Sequence, residues 1–121
     1  MSDDMNAFDK LLLLNRELFA MIEDSVSLDI LARLYSSQLV TKGNKHLLDR
    51  NRFYYRLLRK VVTEGQRRGE LTDSESANEI VKVYAMCERA LLYDWCLCNG
   101  EYSLKSYGSK MMPVFLAQYK K

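Results

Sequence analysis

The sequence is poor in residues that interrupt helices, in paired cysteines and in histidine. It has one proline, five glycines, three cysteines and one histidine among 121 residues. So few turn-forming residues argue against a β-rich chain, and no alternating pattern is long enough to predict a strand. Cys87, Cys96 and Cys98 lack the spacing of a zinc or redox motif. We interpret them as free thiols that pack as small hydrophobic side chains.

The chain also lacks a strong charge imbalance and long apolar runs. Its 18 basic and 16 acidic residues give a formal net charge of +2, which does not indicate nucleic acid or a membrane surface as partner. The leucine run at residues 11–14 lies between Lys10 and Arg16 and is too short for a signal peptide or a membrane span. We therefore expect a cytoplasmic protein that makes no contact with membranes.

Residue clusters that support catalysis are missing as well. The single histidine, His46, has no cysteine or serine partner nearby in the sequence. There is no glycine-rich loop for phosphate and no pair of carboxylate and histidine at metal spacing on a helix. We expect a protein that is not an enzyme and has neither a cofactor nor a metal, with His46 in a structural role.

Helical periodicity is what the chain has in quantity. Hydrophobic residues make up 48% of it, and their spacing predicts one all-α domain over residues 1–121, an antiparallel bundle of about five helices. The predicted helices cover about residues 5–24, 28–41, 48–68, 73–99 and 103–119, with a loop at 42–45. The predicted end signals are Gly69, a capping box from Thr72 to Glu75, Asn99-Gly100, a cap at Ser103 and an interruption or bend at Pro113.

The helix predicted at 73–99 carries two apolar rows instead of one. The first row contains Ile80, Val81, Tyr84, Leu91, Leu92, Trp95 and Cys98, and the second contains Val83, Met86, Ala90, Tyr93 and Leu97. A small domain has few completely interior helices, so we expect one face to pack on its own domain and the other on a second subunit. The sequence predicts a homodimer through the last two helices, with the interface residues Val83, Met86, Ala90, Leu97, Met111 and Phe115.

Glu88 interrupts the first of these rows. Because an unpaired buried carboxylate is costly, three placements are open. Glu88 is ion-paired with an arginine of a neighbouring helix, turned outward at the edge of a helix contact, or positioned to meet a cationic ligand.

The aromatic residues around Glu88 predict an effector site. Tyr84, Glu88 and Trp95 are spaced by four and seven residues and point the same way, and Tyr35 and Tyr54 lie on the faces expected to pack against them. Aromatic walls with one carboxylate suit a small aromatic or cationic molecule. The competing interpretation of each ring, taken singly, is an ordinary core residue.

The helix at 48–68 carries basic residues opposite its apolar face. They are Arg52, Arg56, Arg59, Lys60 and Arg67. Because acidic residues elsewhere balance the charge, a solvated face is favoured over a phosphate-binding one. We expect no specific binding of this chain to DNA.

Two segments resemble the carboxyl-terminal regulatory domain of TetR-family transcriptional regulators. The first is Glu64-Gly65-Gln66-Arg67-Arg68-Gly69-Glu70, and the second runs from Tyr93-Asp94-Trp95-Cys96 to Gly100-Glu101-Tyr102-Ser103-Leu104. The resemblance covers nearly the whole chain. It implies a helical bundle that binds a small effector between its helices, with its last two long helices forming a four-helix dimer interface.

The resemblance has one large departure, since the helix-turn-helix domain that normally precedes this region is missing. The resemblance implies DNA binding only through such a domain, whose half-site spacing the effector alters. The chain is then either a cut-out domain or a protein that modulates full-length relatives by forming mixed dimers. The alternative function is a helical adaptor that binds another protein and has no small-molecule ligand.

Overall fold

The computed structural model describes residues 4–25 and 52–121, and these residues form four α-helices. They are α1 (Ala7–Ser25), α2 (Arg52–Arg67), α3 (Ala77–Leu97) and α4 (Leu104–Leu116), and a short 3-10 helix, Ala117–Tyr119, follows α4. These two segments contain no strand, which confirms the all-α class for them, and none of their helices is long and apolar enough to cross a membrane. The helix predicted at 28–41, the loop at 42–45, Tyr35 and His46 lie outside the described residues.

Helices α2 and α3 pack antiparallel, as the short connection between them predicts. Tyr54 in the first turn of α2 contacts Glu88 in the second half of α3. At the other end of α2, the side-chain amide of Gln66 donates to the backbone carbonyls of Thr72 and Glu75, just before α3. The apolar face of α2 therefore packs along α3.

Helix α1 runs antiparallel to α4 and approaches it closely. Near the end of α1, the carboxylate of Glu23 accepts a hydrogen bond of 3.0 Å from the backbone N–H of Lys105 in the first turn of α4. In the middle of the contact, a β-carbon on Gly108 would lie 2.5 Å from Phe19 Cδ2. Only glycine therefore permits this separation between the two helices.

All four helices contribute to one apolar core. Each presents the residues of its apolar row to the others, and complete burial of such a side chain stabilises the fold by about 1.5–3 kcal/mol. The most deeply buried hydrophobic side chains are Leu11, Phe19, Leu58, Val62, Leu71, Ile80, Tyr84, Leu104, Met112 and Leu116.

The predicted helix end at Gly69 is confirmed. Gly69 has a φ of 76°, in the left-handed region that glycine adopts without a steric penalty. The backbone N–H of Glu70 donates to the carbonyl of Gly65 at 2.8 Å, which is the hydrogen bond that closes a helix with a left-handed residue. Glu70 also accepts a hydrogen bond of 2.9 Å at Oε1 from the N–H of Ala7, so the same turn caps the start of α1.

The predicted capping box at Thr72 is wrong. Helix α3 begins after Ser76, whose hydroxyl accepts from the N–H of Glu79 at 3.1 Å. Thr72 is held outside the helix on both sides, because its carbonyl accepts from Gln66 and its N–H donates to the carbonyl of Tyr119. Its carbonyl is thus already occupied by a partner outside the helix.

The connection from α3 to α4 has the predicted end signals. Asn99 and Gly100 both have positive φ, 56° and 68°. The indole N–H of Trp95 donates to the carbonyl of Tyr102 at 2.9 Å and ties the connection to α3. Ser103 then caps α4 by accepting from a backbone N–H of its first turn. The segment from Tyr93 to Leu104 therefore contains the turn between α3 and α4.

Pro113 does not interrupt α4. The helix continues past Pro113 to Leu116. The missing N–H of a proline leaves the carbonyl four residues earlier, here that of Ser109, without its helical partner. Ser109 is exposed, so water can replace the lost hydrogen bond.

Candidate functional site

Two polar side chains are buried in the apolar core formed by residues 4–25 and 52–121. They are Asn15 of α1, which is 1% exposed, and Glu88 of α3, which is 4% exposed. Asn15 lies one helical turn from Leu11 and from Phe19, so it interrupts the apolar row of α1 as Glu88 interrupts that of α3. The packing of α1 on the other helices brings these two interruptions together.

Hydrogen bonds join both side chains to two tyrosines. Asn15 Nδ2 donates to Glu88 Oε2 at 2.9 Å, and the hydroxyl of Tyr54 lies 3.0 Å from the same oxygen. The hydroxyls of Tyr54 and Tyr84 are 3.0 Å apart, and that of Tyr84 donates to the backbone carbonyl of Leu11 at 2.8 Å. We call Asn15, Tyr54, Tyr84 and Glu88 the Glu88 cluster.

The hydroxyl groups of Tyr54 and Tyr84 make three hydrogen-bond contacts in the Glu88 cluster, but they supply only two protons to donate. Tyr54 contacts Glu88 and Tyr84, and Tyr84 contacts the carbonyl of Leu11. Each hydroxyl donates one hydrogen bond. A proton on Glu88 completes the set, since Glu88 then donates to Tyr54, Tyr54 to Tyr84, and Tyr84 to the carbonyl. With Glu88 ionised, the two hydroxyl protons serve only two of these three contacts.

The electrostatics agree with this count. Burial raises the pKa of Glu88 to about 7, although hydrogen bonds from Asn15, Tyr54 and Tyr84 and the charge of Arg89 act to lower it. Burial also raises the pKa of Tyr54 and of Tyr84, and the charge on Glu88 raises both further. A cluster that exchanges one proton near neutral pH is the chemical capability of this site.

One of the placements left open for Glu88 is excluded by this geometry, and a second has no support among the described residues. The side chain is buried, so it is not turned outward at a helix edge. Among the described residues, the neutral side chains of Asn15 and Tyr54 lie 2.9 and 3.0 Å from its Oε2, and no arginine of a neighbouring helix pairs with it. The carboxyl is satisfied within the fold by neutral donors, an arrangement that the sequence interpretation did not include.

The residues predicted to bind an effector are brought together only in part. Tyr54, Tyr84 and Glu88 meet in the Glu88 cluster, and the rings of the two tyrosines lie 6.4 Å apart. Trp95 is buried further along α3, where its indole N–H is bonded to Tyr102. Tyr35 lies outside the described residues. A ligand interacting with the cluster would therefore contact tyrosine hydroxyls and a carboxyl rather than a wall that includes Trp95.

Asn15 is the member of the cluster that the sequence prediction missed. The signal was available, because Asn15 is a polar residue in an apolar row, as Glu88 is. A cavity of about 260 Å³ between α1 and α4 is lined in part by Asn15, together with Leu12, Leu13 and Met112. Asn15 therefore connects this cavity to Glu88 through one hydrogen bond.

The outward side of α3 and α4 carries the residues predicted to form a dimer interface. Met86 is 44% exposed and Leu97 is 64% exposed, and Ala90 lies between them in the exposed class. Val83, Met111 and Phe115 are half-buried and pack partly against the core. The predicted interface did not include Tyr93, which belongs to the second apolar row, or Tyr107 and Val114, and all three are exposed on these helices. We call these nine residues the α3–α4 apolar surface.

Neither metal-binding groups among the described residues nor comparisons with known proteins assign a function to this chain. Residues 4–25 and 52–121 contain no group of three or more histidine, cysteine or acidic side chains that would hold a metal ion. All three cysteines are free and half-buried. No protein-family model, curated protein or solved structure matches this chain. The resemblance to TetR-family regulators therefore stays a prediction drawn from the residues.

Proposed function

We propose that this chain is the effector-binding and dimerisation domain of a TetR-like transcriptional regulator. In this proposal a separate helix-turn-helix domain reads DNA, and the effector changes the arrangement of two such domains in the dimer. The observation that carries the proposal is that α3 has two apolar sides, of which only one is packed in the core. One side is buried in the core through Tyr84 and Leu91, and the other exposes Met86 and Leu97.

The exposed side has the geometry of a helix-pairing surface. Val83, Met86, Ala90, Tyr93 and Leu97 follow one another at alternating spacings of three and four residues. That repeat keeps apolar side chains on the seam along which two helices pack. Tyr107 and Val114 of α4 are also exposed. A second copy related by a twofold axis would cover this surface, and a stable dimer of this kind buries more than about 1,000 Å².

The effector part of the proposal is supported by the Glu88 cluster and the cavity beside it. Asn15 lines the cavity between α1 and α4 and donates its amide hydrogen bond to Glu88. A small aromatic or cationic compound that competes for the amide or the carboxyl would alter a contact joining α1, α2 and α3. Such a contact gives a bound molecule a way to favour one helix arrangement over another.

Sedimentation velocity at micromolar concentration tests the dimer. We expect the wild type to sediment as a dimer and Ala90→Arg, which places a charge at the centre of the α3–α4 apolar surface, as a folded monomer. Thr63→Arg is the matched control, because Thr63 is exposed on α2 and outside this surface. A monomeric wild type, or equal dimerisation of both variants, would contradict the proposal.

A thermal-shift screen of neutral, anionic and cationic aromatic compounds tests the effector site. We expect cationic compounds to raise the melting temperature of the wild type more than that of Glu88→Gln. Equal shifts for both proteins would show that Glu88 is not the counter-charge of the ligand.

The alternative function is a helical adaptor, or a modulator that forms mixed dimers, without a small-molecule ligand. It is favoured by one observation, which is that the carboxyl of Glu88 already has Asn15 and Tyr54 as partners inside the fold. A dimer with no response to any compound in the screen would favour this alternative.

A further inference from the structure

A groove between α2 and α3 carries an unusual set of side chains. It has a volume of about 340 Å³ and is lined by Tyr55, Arg59, Asn78, Val81, Lys82, Ala85 and Arg89. Arg59 from the basic face of α2 and the polar residues Asn78, Lys82 and Arg89 of α3 meet in this groove, whereas the sequence interpretation treated the basic face of α2 as solvated. The groove is distinct from the Glu88 cluster and from the α3–α4 apolar surface.

The described charged side chains that line the groove are all cationic. Its lining contains three cationic side chains, Arg59, Lys82 and Arg89, and none of its described lining residues is acidic. Glu75 and Glu79, near the start of α3, do not line the groove. Among the described residues, three like charges line the groove and no carboxylate does.

One of the three cations is held in place. Arg89 is half-buried, and its Nη1 donates a hydrogen bond of 2.9 Å to the hydroxyl of Tyr55. This leaves the proton of that hydroxyl free to point into the groove, because the oxygen is acting as the acceptor. The guanidinium of Arg89 keeps further N–H groups for a second acceptor. The groove thus combines an oriented guanidinium with neutral donors from Tyr55 and Asn78.

The floor of the groove is apolar. Val81 and Ala85 lie one turn apart on α3, and each is 5% exposed. Tyr55 adds an aromatic wall. Ligand sites commonly have volumes of about 300–1,000 Å³, with a mainly apolar lining and a few placed polar groups. The volume and the lining of this groove suit a molecule the size of a substituted aromatic ring.

We propose that the groove between α2 and α3 binds a small organic anion, in which a carboxylate or phosphate is attached to a flat apolar body. The guanidinium groups of Arg59 and Arg89 bind the anionic oxygens, with Lys82 as a third positive charge, and the body lies on Val81 and Ala85. Arginine forks match the geometry of carboxylate and phosphate oxygens, so these groups are preferred over a halide. The inference does not depend on the effector predicted at Glu88.

Calorimetric titration with four probes tests the proposal. Benzoate and phenyl phosphate carry an anion and an apolar ring, benzamide carries the ring alone, and inorganic phosphate carries the charge alone. We expect saturable binding of at least one of the first two, and at least tenfold weaker binding of both controls. Equal binding of benzoate and benzamide would remove the role of the cations. Binding of inorganic phosphate as tight as that of phenyl phosphate would remove the role of the apolar floor.

Charge-removing variants locate the binding. Arg59→Gln and Lys82→Gln change exposed side chains, and Arg89→Gln changes the half-buried one. We expect each to weaken binding of the anionic probe by about fivefold or more, with the largest effect for Arg89→Gln. Lys60→Gln is the matched control, since Lys60 is exposed on α2 but does not line the groove. The proposal is wrong if the three variants bind the probe as the control does, or if no probe binds the wild type saturably.

Discussion

The side-chain amide of Asn15 donates a hydrogen bond of 2.9 Å to the carboxyl of Glu88, which lies 73 positions further along the chain. The two side chains are buried, and each replaces an apolar residue in the core-facing row of its own helix. A buried carboxyl without hydrogen-bond donors would destabilise the fold. Each of these two buried polar side chains is therefore tolerated because the other is its partner. Several consequences can be measured.

Stability should fall as the pH rises through neutrality because of Glu88. Its pKa is about 7 in the folded chain against an ordinary value of 4.5. The folded state therefore holds more protons between these values, and the stabilising contribution is complete below about pH 4.5 and lost above about pH 7. We expect a loss of up to about 3 kcal/mol, judged from about 1.4 kcal/mol per pKa unit.

Urea unfolding at pH 5, 6, 7 and 8 measures this effect. Glu88→Gln should lack this part of the pH dependence, because an amide does not titrate in that range. Glu17→Gln, an exposed change on α1, should keep the wild-type profile. Identical profiles for the wild type and Glu88→Gln would show that Glu88 does not exchange its proton in this window.

Replacement of Asn15 should be more harmful at high pH than at low pH. Asn15→Leu removes a donor to Glu88, and an unsatisfied buried group costs about 1–3 kcal/mol. The cost is largest when Glu88 is ionised, so we expect it to be larger at pH 8 than at pH 5. Asn78→Leu, at an exposed position, should change the free energy of unfolding by less than about 0.5 kcal/mol.

The double variant Asn15→Leu, Glu88→Leu should lose less stability than the two single variants added together. Without the carboxyl, Tyr54 donates to Tyr84 and Tyr84 donates to the carbonyl of Leu11, so both hydroxyl protons keep acceptors. A double-mutant cycle at pH 8 should give a coupling of about 0.5–3 kcal/mol. Simple additivity would mean that the two side chains do not stabilise each other.

Addition of one methyl group at Gly108 should destabilise the contact between α1 and α4. The new β-carbon of Gly108→Ala would lie 2.5 Å from Phe19 Cδ2, so the helices must separate or the ring must move. We expect a loss of about 1–3 kcal/mol in thermal unfolding, as for other overpacked cores. Adding Phe19→Leu to Gly108→Ala should restore part of the loss, and no restoration would mean that the methyl group clashes elsewhere.

The start of α3 can be located by removing single hydroxyl groups. Ser76→Ala removes the side chain that accepts from Glu79, and we expect a loss of about 1 kcal/mol. Thr72→Ala should cost less, because its hydroxyl interacts only within the connection, where it accepts from Ser74. If Thr72→Ala has the larger effect in chemical unfolding, the sequence-based helix boundary was the better one.

Helix existence and several helix ends were predictable from the sequence because their causes are local. Gly69 and the Asn99-Gly100 pair supply left-handed backbone where a helix stops, and Ser103 supplies a hydroxyl where the next one begins. The two apolar rows of α3 were also readable, since helical periodicity places their residues on defined faces. Each of these signals acts within a few residues of the position that it determines.

The start of α3 and the role of Gln66 in the segment from Glu64 to Glu70 could not be predicted from local spacing, because both depend on tertiary contacts. Thr72 and Ser76 both precede a glutamate by three residues, so either fits a capping box. The hydrogen bonds that Thr72 makes with Gln66 and with Tyr119 decide between them. The second of these contacts comes from the far end of the chain.

The sequence by itself placed Tyr84 and Glu88 on one face of one helix, but only the tertiary structure decided what that face meets. Spacing within a helix fixes which side chains point together, because every residue turns by the same angle. It does not specify which neighbouring helix supplies the hydrogen bonds. The pairing of Glu88 with Asn15 and Tyr54, and the meeting of Arg59 with Lys82 and Arg89, arise from helix packing between distant segments. The chemistry at both positions depends on that packing, because burial and neighbouring charges set the properties of these groups.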